Sequence, residues 1–126
     1  MKILLVEDDK FLRKVLEKKL INKGFEVISA VDGDEAFEKV VLDKPDIVLL
    51  DIILPKKSGF IFLENFRKDP NFKEIPVLIL SNLGQEEDIK KAFELGANDY
   101  FVKARMSLED VINKVVEYNI KLQTKS

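Results

Sequence analysis

The sequence predicts an α/β fold, a doubly wound five-stranded parallel sheet with five helices on its two faces. Five short apolar runs alternate with segments whose apolar residues recur at helical spacing along the 126 residues. Several of these runs are almost entirely Val, Ile and Leu, which is typical of strands buried on both faces. The length suits one ordinary domain.

The predicted strands are the five apolar runs. They are "KILLV" (2–6), "FEVIS" (25–29), "DIVLL" (46–50), "PVLIL" (76–80) and "DYFV" (99–102). The first, third and fourth are nearly continuous in apolar residues and belong at the centre, whereas the second and fifth are mixed and form the edges. The implied order is 2-1-3-4-5, the flavodoxin-like arrangement, with its functional crevice beyond the carboxyl ends of strands one and three.

The predicted helices are the segments between and after these strands. Their periodic apolar residues are Leu12, Val15, Leu16 and Leu20; Ala36, Phe37 and Val40; Ile61, Phe62 and Phe66; Ile89, Ala92 and Phe93; and Leu108, Val111, Ile112 and Val115. Gly24 is placed to end the first helix, Ser58 to begin the third, and Ser107 to begin the last. We expect a domain over residues 1–122 and a flexible tail over 123–126.

The composition excludes several classes of function. The 21 basic and 23 acidic residues are scattered and leave a net charge of -2, so we expect no direct nucleic-acid binding. Cysteine and histidine are absent, which excludes disulfides, thiolate or imidazole metal sites and a histidine phosphate carrier. No apolar run has the length of a signal peptide or a transmembrane helix, so we expect a cytoplasmic protein without membrane insertion.

Asp51 is the residue that first indicates a function. It stands in "IVLLDIIL", residues 47–54, among apolar side chains that favour burial. An unpaired buried carboxylate costs several kcal/mol, so Asp51 needs a partner. A purely structural buried aspartate is the alternative, but the ends of the neighbouring strands supply more carboxylates.

Polar residues follow the other central strands as well. Glu7 and Asp8 follow the first strand, Ser81 follows the fourth, and Lys103 follows the fifth. Because carboxyl ends of parallel strands share one edge, these groups should meet beside Asp51. Glu7 and Asp8 alone would be ordinary acids at a helix start. Together with Asp51 they form an oxygen-only donor set that favours Mg²⁺, and a metal-bound carboxylate can attack phosphorus.

The sequence closely resembles the receiver domain of bacterial two-component response regulators over essentially its whole length. The matching segments are "LLVEDD" (4–9), "DG" (32–33), "PDIVLLDIILPKKSG" (45–59), "VLILSN" (77–82) and "LGANDYFVK" (95–103). Each motif alone is common. Four of them in order at this spacing are highly specific.

The resemblance implies a phosphorylation site and a metal site. Asp51 corresponds to the phospho-acceptor, which takes a phosphoryl group from a partner histidine kinase, a phosphotransfer protein or a small phosphodonor. Glu7, Asp8, Asp51 and the backbone carbonyl of Ile53 correspond to the protein ligands of Mg²⁺. Asp9 lies outside that pattern, and we expect it to cap the first helix.

The resemblance also implies a switch. Ser81 occupies the switch position, Tyr100 resembles the aromatic residue that moves with it, and Lys103 matches the lysine that pairs with phosphate. We expect a signalling switch without an external turnover substrate, a monomer or weak dimer whose surface of helix 4, strand 5 and helix 5 controls a downstream protein partner.

Three departures from the family pattern stand out. The family follows its lysine with a cis proline, but this chain has Lys103-Ala104, and the sequence leaves cis or trans open. Ile53 and Asn82 flank the path of a hydrolytic water in the family, so bulky Ile53 predicts a longer-lived phosphoryl group.

The third departure is Ile89, where regulators that dimerise to present a DNA-binding domain commonly carry arginine. The apolar side chain argues against that charged dimer. Ile89, Phe93 and Tyr100 instead suggest an apolar patch for a partner protein.

Three rival functions share features with this pattern. A haloacid-dehalogenase-like hydrolase needs a second aspartate two residues after the nucleophile, where this chain has Ile53. A flavodoxin-like electron carrier needs a Ser/Thr/Gly-rich phosphate loop, where "EDDK" would repel the phosphate. The main alternative is a degenerate receiver that acts as a phosphorylation-independent docking module.

Overall fold

The fold is one sheet of five parallel strands. The structure is a computed structural model and describes residues 1–124. The strands are β1 (Lys2–Val6), β2 (Glu26–Ala30), β3 (Ile47–Leu50), β4 (Val77–Ser81) and β5 (Asp99–Val102). They lie in the order β2-β1-β3-β4-β5, and every neighbouring pair is parallel. The predicted fold class, strand order and edge strands are confirmed.

Helices follow the strands in strict alternation. They are α1 (Lys10–Asn22), α2 (Gly33–Asp43), α3 (Gly59–Lys68), α4 (Glu86–Glu94) and α5 (Leu108–Thr124), with short 3-10 turns at Pro70–Phe72 and Lys103–Arg105. Helix α5 includes residues 123 and 124, the first two of the predicted tail, while 125 and 126 lie outside the described residues. Among residues 1–124, no helix combines the length and apolar character that crossing a bilayer requires.

Side chains cap the helices as the sequence indicates. Oδ1 of Asp9 accepts a hydrogen bond from the backbone N–H of Leu12 at 3.0 Å, so Asp9 is the N-cap of α1. Ser58 and Ser107 accept equivalent bonds at the starts of α3 and α5. Gly24 follows α1 with φ +93°, a left-handed conformation that glycine adopts without steric cost.

The core has two layers, one on each face of the sheet. Alternate residues of β1 point to opposite sides: Leu4 and Val6 pack with residues of α2, α3 and α4, while Ile3 and Leu5 pack with residues of α1 and α5. The central strands are buried on both faces, which is the reason for their nearly continuous apolar sequence. This packing fixes where each strand ends.

Arg67 joins several segments at the amino edge of the sheet. Its guanidinium donates to the backbone carbonyl of Gly96 at 3.0 Å, the backbone carbonyl of Phe72 at 2.8 Å and Oδ1 of Asn98 at 2.8 Å. The same Asn98 oxygen accepts from the backbone N–H of Val77 at 2.8 Å. Burial lowers the pKa of Arg67. The end of α3 and the starts of β4 and β5 are therefore fastened together.

Candidate functional site at the carboxyl edge

Two carboxylates meet at the carboxyl ends of β1 and β3. Val6 and Leu50 pair in register, so the residues that follow them, Glu7 and Asp51, are neighbours. The backbone N–H of Asp51 donates to the carbonyl of Val6 at 3.0 Å. Glu7 is only 2% exposed and Asp51 only 4%. The sheet therefore holds two acids side by side with little access to water.

Lys103 supplies the positive charge that these acids need. It follows β5, and its Nζ lies 2.8 Å from Oε1 of Glu7 and 2.8 Å from Oδ2 of Asp51. In the structure the ammonium of Lys103 is a partner of Asp51. Mg²⁺ as a further partner of Asp51, which the sequence indicates, stays a prediction. One ammonium faces two carboxylates, so the group formed by Glu7, Asp51 and Lys103 is one positive charge short of neutral.

The pKa values of Glu7 and Lys103 both shift in this arrangement. Burial raises the pKa of Glu7, the hydrogen bond from Lys103 opposes that rise, and the charge of Asp51 adds to it. Burial acts to lower the pKa of Lys103, but the hydrogen bonds and charges of Asp51 and Glu7 outweigh it, so the pKa of Lys103 is raised. Lys103 is thus held in its charged form.

The cluster can hold a small cation. Glu7, Asp8 and Asp51 each offer a carboxylate oxygen, and these oxygens lie within 4.8 Å of one another. Oxygen-only donors with room for water suit a hard divalent ion such as Mg²⁺. The residues around them line an open cavity of about 320 Å³: Glu7, Asp8, Asp9, Asp51, Ile53, Asn82 and Lys103.

Ile53 stands on the rim of this cavity. Ile53 is 54% exposed, and its backbone N–H donates to Oδ1 of Asp51 at 3.1 Å. Together with Lys103, which bonds Oδ2, Ile53 fixes the orientation of the Asp51 carboxylate. The role of the Ile53 carbonyl as a metal ligand stays a prediction.

Ser81 and Tyr100 hold the loop that follows β4. Ser81 is fully buried, and its Oγ accepts from the backbone N–H of Leu83 at 3.3 Å. The hydroxyl of Tyr100 donates to the carbonyl of the same Leu83 at 2.6 Å. Burial raises the pKa of Tyr100, and nearby carboxylates add to the rise. Neither side chain lines the cavity, so their part in a switch stays a prediction.

The peptide between Lys103 and Ala104 is trans. No cis peptide bond occurs among residues 1–124, and the chain passes through the 3-10 turn Lys103–Arg105 on leaving β5. The question that the sequence left open is therefore resolved, and the lysine reaches both acids from this turn.

Arg13 contacts the acidic loop, although the sequence patterns did not single it out. Nη1 of Arg13 donates to the backbone carbonyl of Glu7 at 2.9 Å and lies 3.4 Å from that of Asp8. Its only signal in the sequence is its place one turn into α1, a place that Lys10 and Lys14 nearly share. The orientation of α1 about its own axis places Arg13, and not either lysine, against the acidic loop.

Close backbone packing holds the loop between β3 and α3. A Cβ atom at Gly59 would lie 2.4 Å from the carbonyl oxygen of Asp51, and one at Gly33 would lie 2.3 Å from that of Lys57. Nζ of Lys57 also lies 3.5 Å from Oδ1 of Asp34. The "DG" motif thus brings the start of α2 against the loop that follows the acceptor position.

The predicted apolar patch on α4 and β5 is only partly exposed. Phe93 is 45% exposed, whereas Ile89 and Tyr100 are half-buried. Val41 and Leu42 on α2 are more exposed, at 60% and 79%. The partner role of the α4 and β5 patch stays a prediction.

Comparison with known proteins identifies the family that this fold and site define. A family model of the response regulator receiver domain matches residues 3–116. The match covers most of the chain, and the chain therefore belongs to the response regulator receiver domain family.

Individual relatives agree with this assignment. The probable transcriptional regulator ycf27 of Guillardia theta is 40% identical over 102 residues, which are 81% of this chain and 39% of that protein. The structure of the phosphorylated cyanobacterial phytochrome response regulator RcpA is similar with a TM-score of 0.80 and 35% identity, over 90% of this chain and 87% of that one. The Mn²⁺-bound form of response regulator Rcp1 has a TM-score of 0.80 and 32% identity, over 90% and 88%.

The curated relatives are longer than the part that matches. This chain spans 39% to 50% of their length. The similarity therefore concerns the receiver domain and not the remainder of those proteins.

Proposed function

We propose that this domain is a phosphorylation-dependent signalling switch in which Asp51 accepts a phosphoryl group in the presence of Mg²⁺. The observation that carries the proposal is the buried carboxylate of Asp51 on an open cavity. It is bonded to Lys103 at 2.8 Å and lies among carboxylate oxygens within 4.8 Å of one another. A phosphohistidine of a partner histidine kinase or phosphotransfer protein is the donor, since this chain has no histidine.

The transfer needs one nucleophilic oxygen and compensation of the developing charge. A carboxylate oxygen of Asp51 forms a bond to phosphorus while the bond from phosphorus to the donor's nitrogen breaks, giving an acyl phosphate. Lys103 donates to an oxygen of the incoming phosphoryl group, as it now donates to Asp51. The N–H of Ile53 keeps the other carboxylate oxygen oriented.

The metal would be held by the carboxylates of Glu7, Asp8 and Asp51, with the Ile53 carbonyl as a fourth protein ligand. When bound, it supplies Lewis-acid stabilisation of negative charge on the phosphoryl oxygens. The similar structures of Mn²⁺-bound Rcp1 and phosphorylated RcpA support a divalent metal and phosphorylation in this family.

Phosphorylation would act on the loop after β4. The phosphoryl group adds negative charge and strong acceptor oxygens beside Ser81. The Ser81 hydroxyl turns to donate to a phosphoryl oxygen, which releases the N–H of Leu83. Tyr100, bonded to the carbonyl of Leu83, then changes its position. The surface of α4, β5 and α5 carries the signal to a protein partner, and no external substrate is turned over.

Mass spectrometry of the intact protein tests this proposal. Wild type is incubated with acetyl phosphate and Mg²⁺, beside Asp51→Asn and a control, Asp46→Asn, at the opposite edge of the sheet. We expect wild type and Asp46→Asn to gain one phosphoryl group, and Asp51→Asn and chelator-treated wild type to gain none. An unmodified wild type would refute the proposal and favour a phosphorylation-independent docking module.

A further inference from the structure

We propose that Arg13 is a positioning residue for the cation site, and that its contacts with the acidic loop set how tightly Mg²⁺ binds. The inference rests on the proposed function, in which Glu7 and Asp8 hold the metal. Arg13 is outside the cluster of possible ligands. Its Nη1 nevertheless donates to the Glu7 carbonyl at 2.9 Å and lies 3.4 Å from the Asp8 carbonyl.

These two carbonyls determine where the acidic side chains point. The peptide planes that follow Glu7 and Asp8 fix the direction in which the Asp8 side chain leaves the loop. Asp8 is exposed, in contrast to Glu7, which Lys103 already holds. A guanidinium is a planar, preorganised donor, so one Arg13 nitrogen contacting two successive carbonyls restrains this segment more than a flexible ammonium would.

Few other interactions restrain the same loop. The backbone N–H of Asp9 donates to Oε2 of Glu7 at 3.1 Å, and the Asp9 side chain caps α1. Neither contact uses the backbone carbonyl of Glu7, which belongs to the peptide group between Glu7 and Asp8. Without Arg13, that segment would have to be ordered when the metal binds, and the cost of ordering would appear as weaker affinity.

The positive charge of Arg13 should weaken Mg²⁺ binding, whereas its positioning contacts should strengthen it. The sign of the change in Mg²⁺ affinity on removing Arg13 therefore tests the inference. A fixed positive charge near the cavity repels a divalent cation, so removing it on electrostatic grounds alone should strengthen Mg²⁺ binding. Removing a positioning contact should weaken it. The direction of the change in Kd therefore separates the two roles.

Lys14 offers a matched control. It is the next residue on α1, it is exposed, and among residues 1–124 no hydrogen bond joins its side chain to the acidic loop. Lys14→Gln removes one positive charge from the same turn of the same helix. It reports the electrostatic effect without the positioning effect.

The experiment is a calorimetric titration of the metal-free protein with MgCl2. It compares wild type, Arg13→Gln, Arg13→Lys and Lys14→Gln, with the melting temperature of each variant recorded without Mg²⁺. We expect Arg13→Gln to bind Mg²⁺ about tenfold more weakly, near the lower end of the loss that follows removal of a group supporting metal ligands. We expect Lys14→Gln to bind as wild type or slightly more tightly. Arg13→Lys keeps the charge and should lie between wild type and Arg13→Gln.

Two results would refute the inference in different ways. If wild type binds Mg²⁺ and Arg13→Gln binds it as tightly as Lys14→Gln, Arg13 has no positioning role and the proposed function stands. If wild type binds no Mg²⁺, the proposed metal site fails and the inference fails with it. Should Arg13→Gln not fold, Arg13→Lys decides the matter, since unchanged affinity in that variant overturns the inference.

Discussion

Lys103 Nζ lies 2.8 Å from Oδ2 of Asp51, although the two residues are separated by 52 positions in the sequence. The same nitrogen is 2.8 Å from Oε1 of Glu7. One partly buried cation therefore pairs with two buried anions. The metal-free domain should tolerate the loss of either acid far better than the loss of the lysine.

Lys103→Met should destabilise the metal-free protein by about 3 kcal/mol, the lower end of the range for breaking a buried ion pair, because the cavity admits water. Glu7 and Asp51 would then face each other without compensation. Urea unfolding without Mg²⁺ measures the loss. Adding Mg²⁺ should recover part of it, because a ligand that binds only the folded state stabilises that state.

The control for this measurement is Lys114→Met. Lys114 lies 3.5 Å from Glu117 on the surface of α5, with its side chain 45% exposed. Such pairs contribute about 0 to 1 kcal/mol. Equal effects of the two lysine substitutions would contradict the central role of Lys103.

Asp51→Asn should leave the free energy of unfolding of the metal-free protein within about 1 kcal/mol of wild type, because Lys103 keeps Glu7 as a partner and no charge is left uncompensated. The lost hydrogen bond to Lys103 is offset by relief of the repulsion between Glu7 and Asp51. Urea unfolding of both proteins in the presence of a chelator checks this. A loss as large as that of Lys103→Met would show that the cluster is not short of positive charge.

Stability should also depend on alkaline pH through Lys103. The folded-state pKa of Lys103 is raised above its ordinary value of 10.5, so its stabilising contribution is fully present below that value. The contribution is lost as the pH rises through the raised folded-state pKa. We expect the difference in unfolding free energy between wild type and Lys103→Met to shrink over this range in chelator-treated samples. A constant difference would be inconsistent with a stabilising charge on Lys103.

Gly59→Ala should disturb the site as well as the fold. The added methyl group would lie 2.4 Å from the carbonyl oxygen of Asp51 and 2.7 Å from Cα of Ile52, so backbone must move. We expect a loss of about 3 kcal/mol, the upper end for overpacking, together with weaker Mg²⁺ binding. Urea unfolding and calorimetry measure the two effects.

Gly24→Ala is the control for Gly59→Ala, because it should lower the stability of the fold without changing the affinity for Mg²⁺. Gly24 has φ +93°, but a methyl group added there would meet no atom within 4 Å, so alanine is strained without a clash. It should lose about 1 to 2 kcal/mol and keep the wild-type affinity for Mg²⁺. Unchanged Mg²⁺ affinity in Gly59→Ala would show that the loop does not transmit the clash to Asp51.

Ile53→Asn should shorten the lifetime of the phosphorylated protein severalfold. Ile53 is 54% exposed on the rim of the cavity, beside the space that an attacking water must enter. A smaller polar side chain opens that space and can hydrogen-bond the water. Loss of the phosphoryl mass with time after removal of acetyl phosphate gives both half-lives. Ile61→Asn, at an exposed position of α3, is the control. Equal half-lives would exclude a shielding role for Ile53.

The sequence was sufficient to predict the fold and the meeting of the acidic residues. Strands β1, β3 and β4 are nearly pure Val, Ile and Leu because both of their faces are covered, and such runs are hard to mistake. Once these strands are parallel, Glu7 and Asp51 must follow them at the same edge. The predicted strand limits were within one residue of the limits in the structure.

Contacts that depend on side-chain direction could not be predicted in the same way. Arg13, Lys10 and Lys14 are all basic residues near the start of α1, and only the packed orientation of the helix brings Arg13 to the loop. The trans peptide at Lys103 depends on the geometry of the following turn, which residue types alone leave open. The exposure of Leu42 breaks the usual apolar periodicity of a helix and has no signal in the pattern.

The fastening of the amino edge by Arg67 has a practical consequence for spectroscopy. That edge lies about one strand length, some 13 Å, from the acidic cluster at a rise of about 3.3 Å per residue. Exposed Lys73 lies there, and its own backbone carbonyl accepts a hydrogen bond from Arg67. Because the chain has no cysteine, Lys73→Cys would introduce a unique attachment point for a fluorescent dye. A dye on that anchored side would provide a stationary reference against which displacement of a second probe near α4 could be measured.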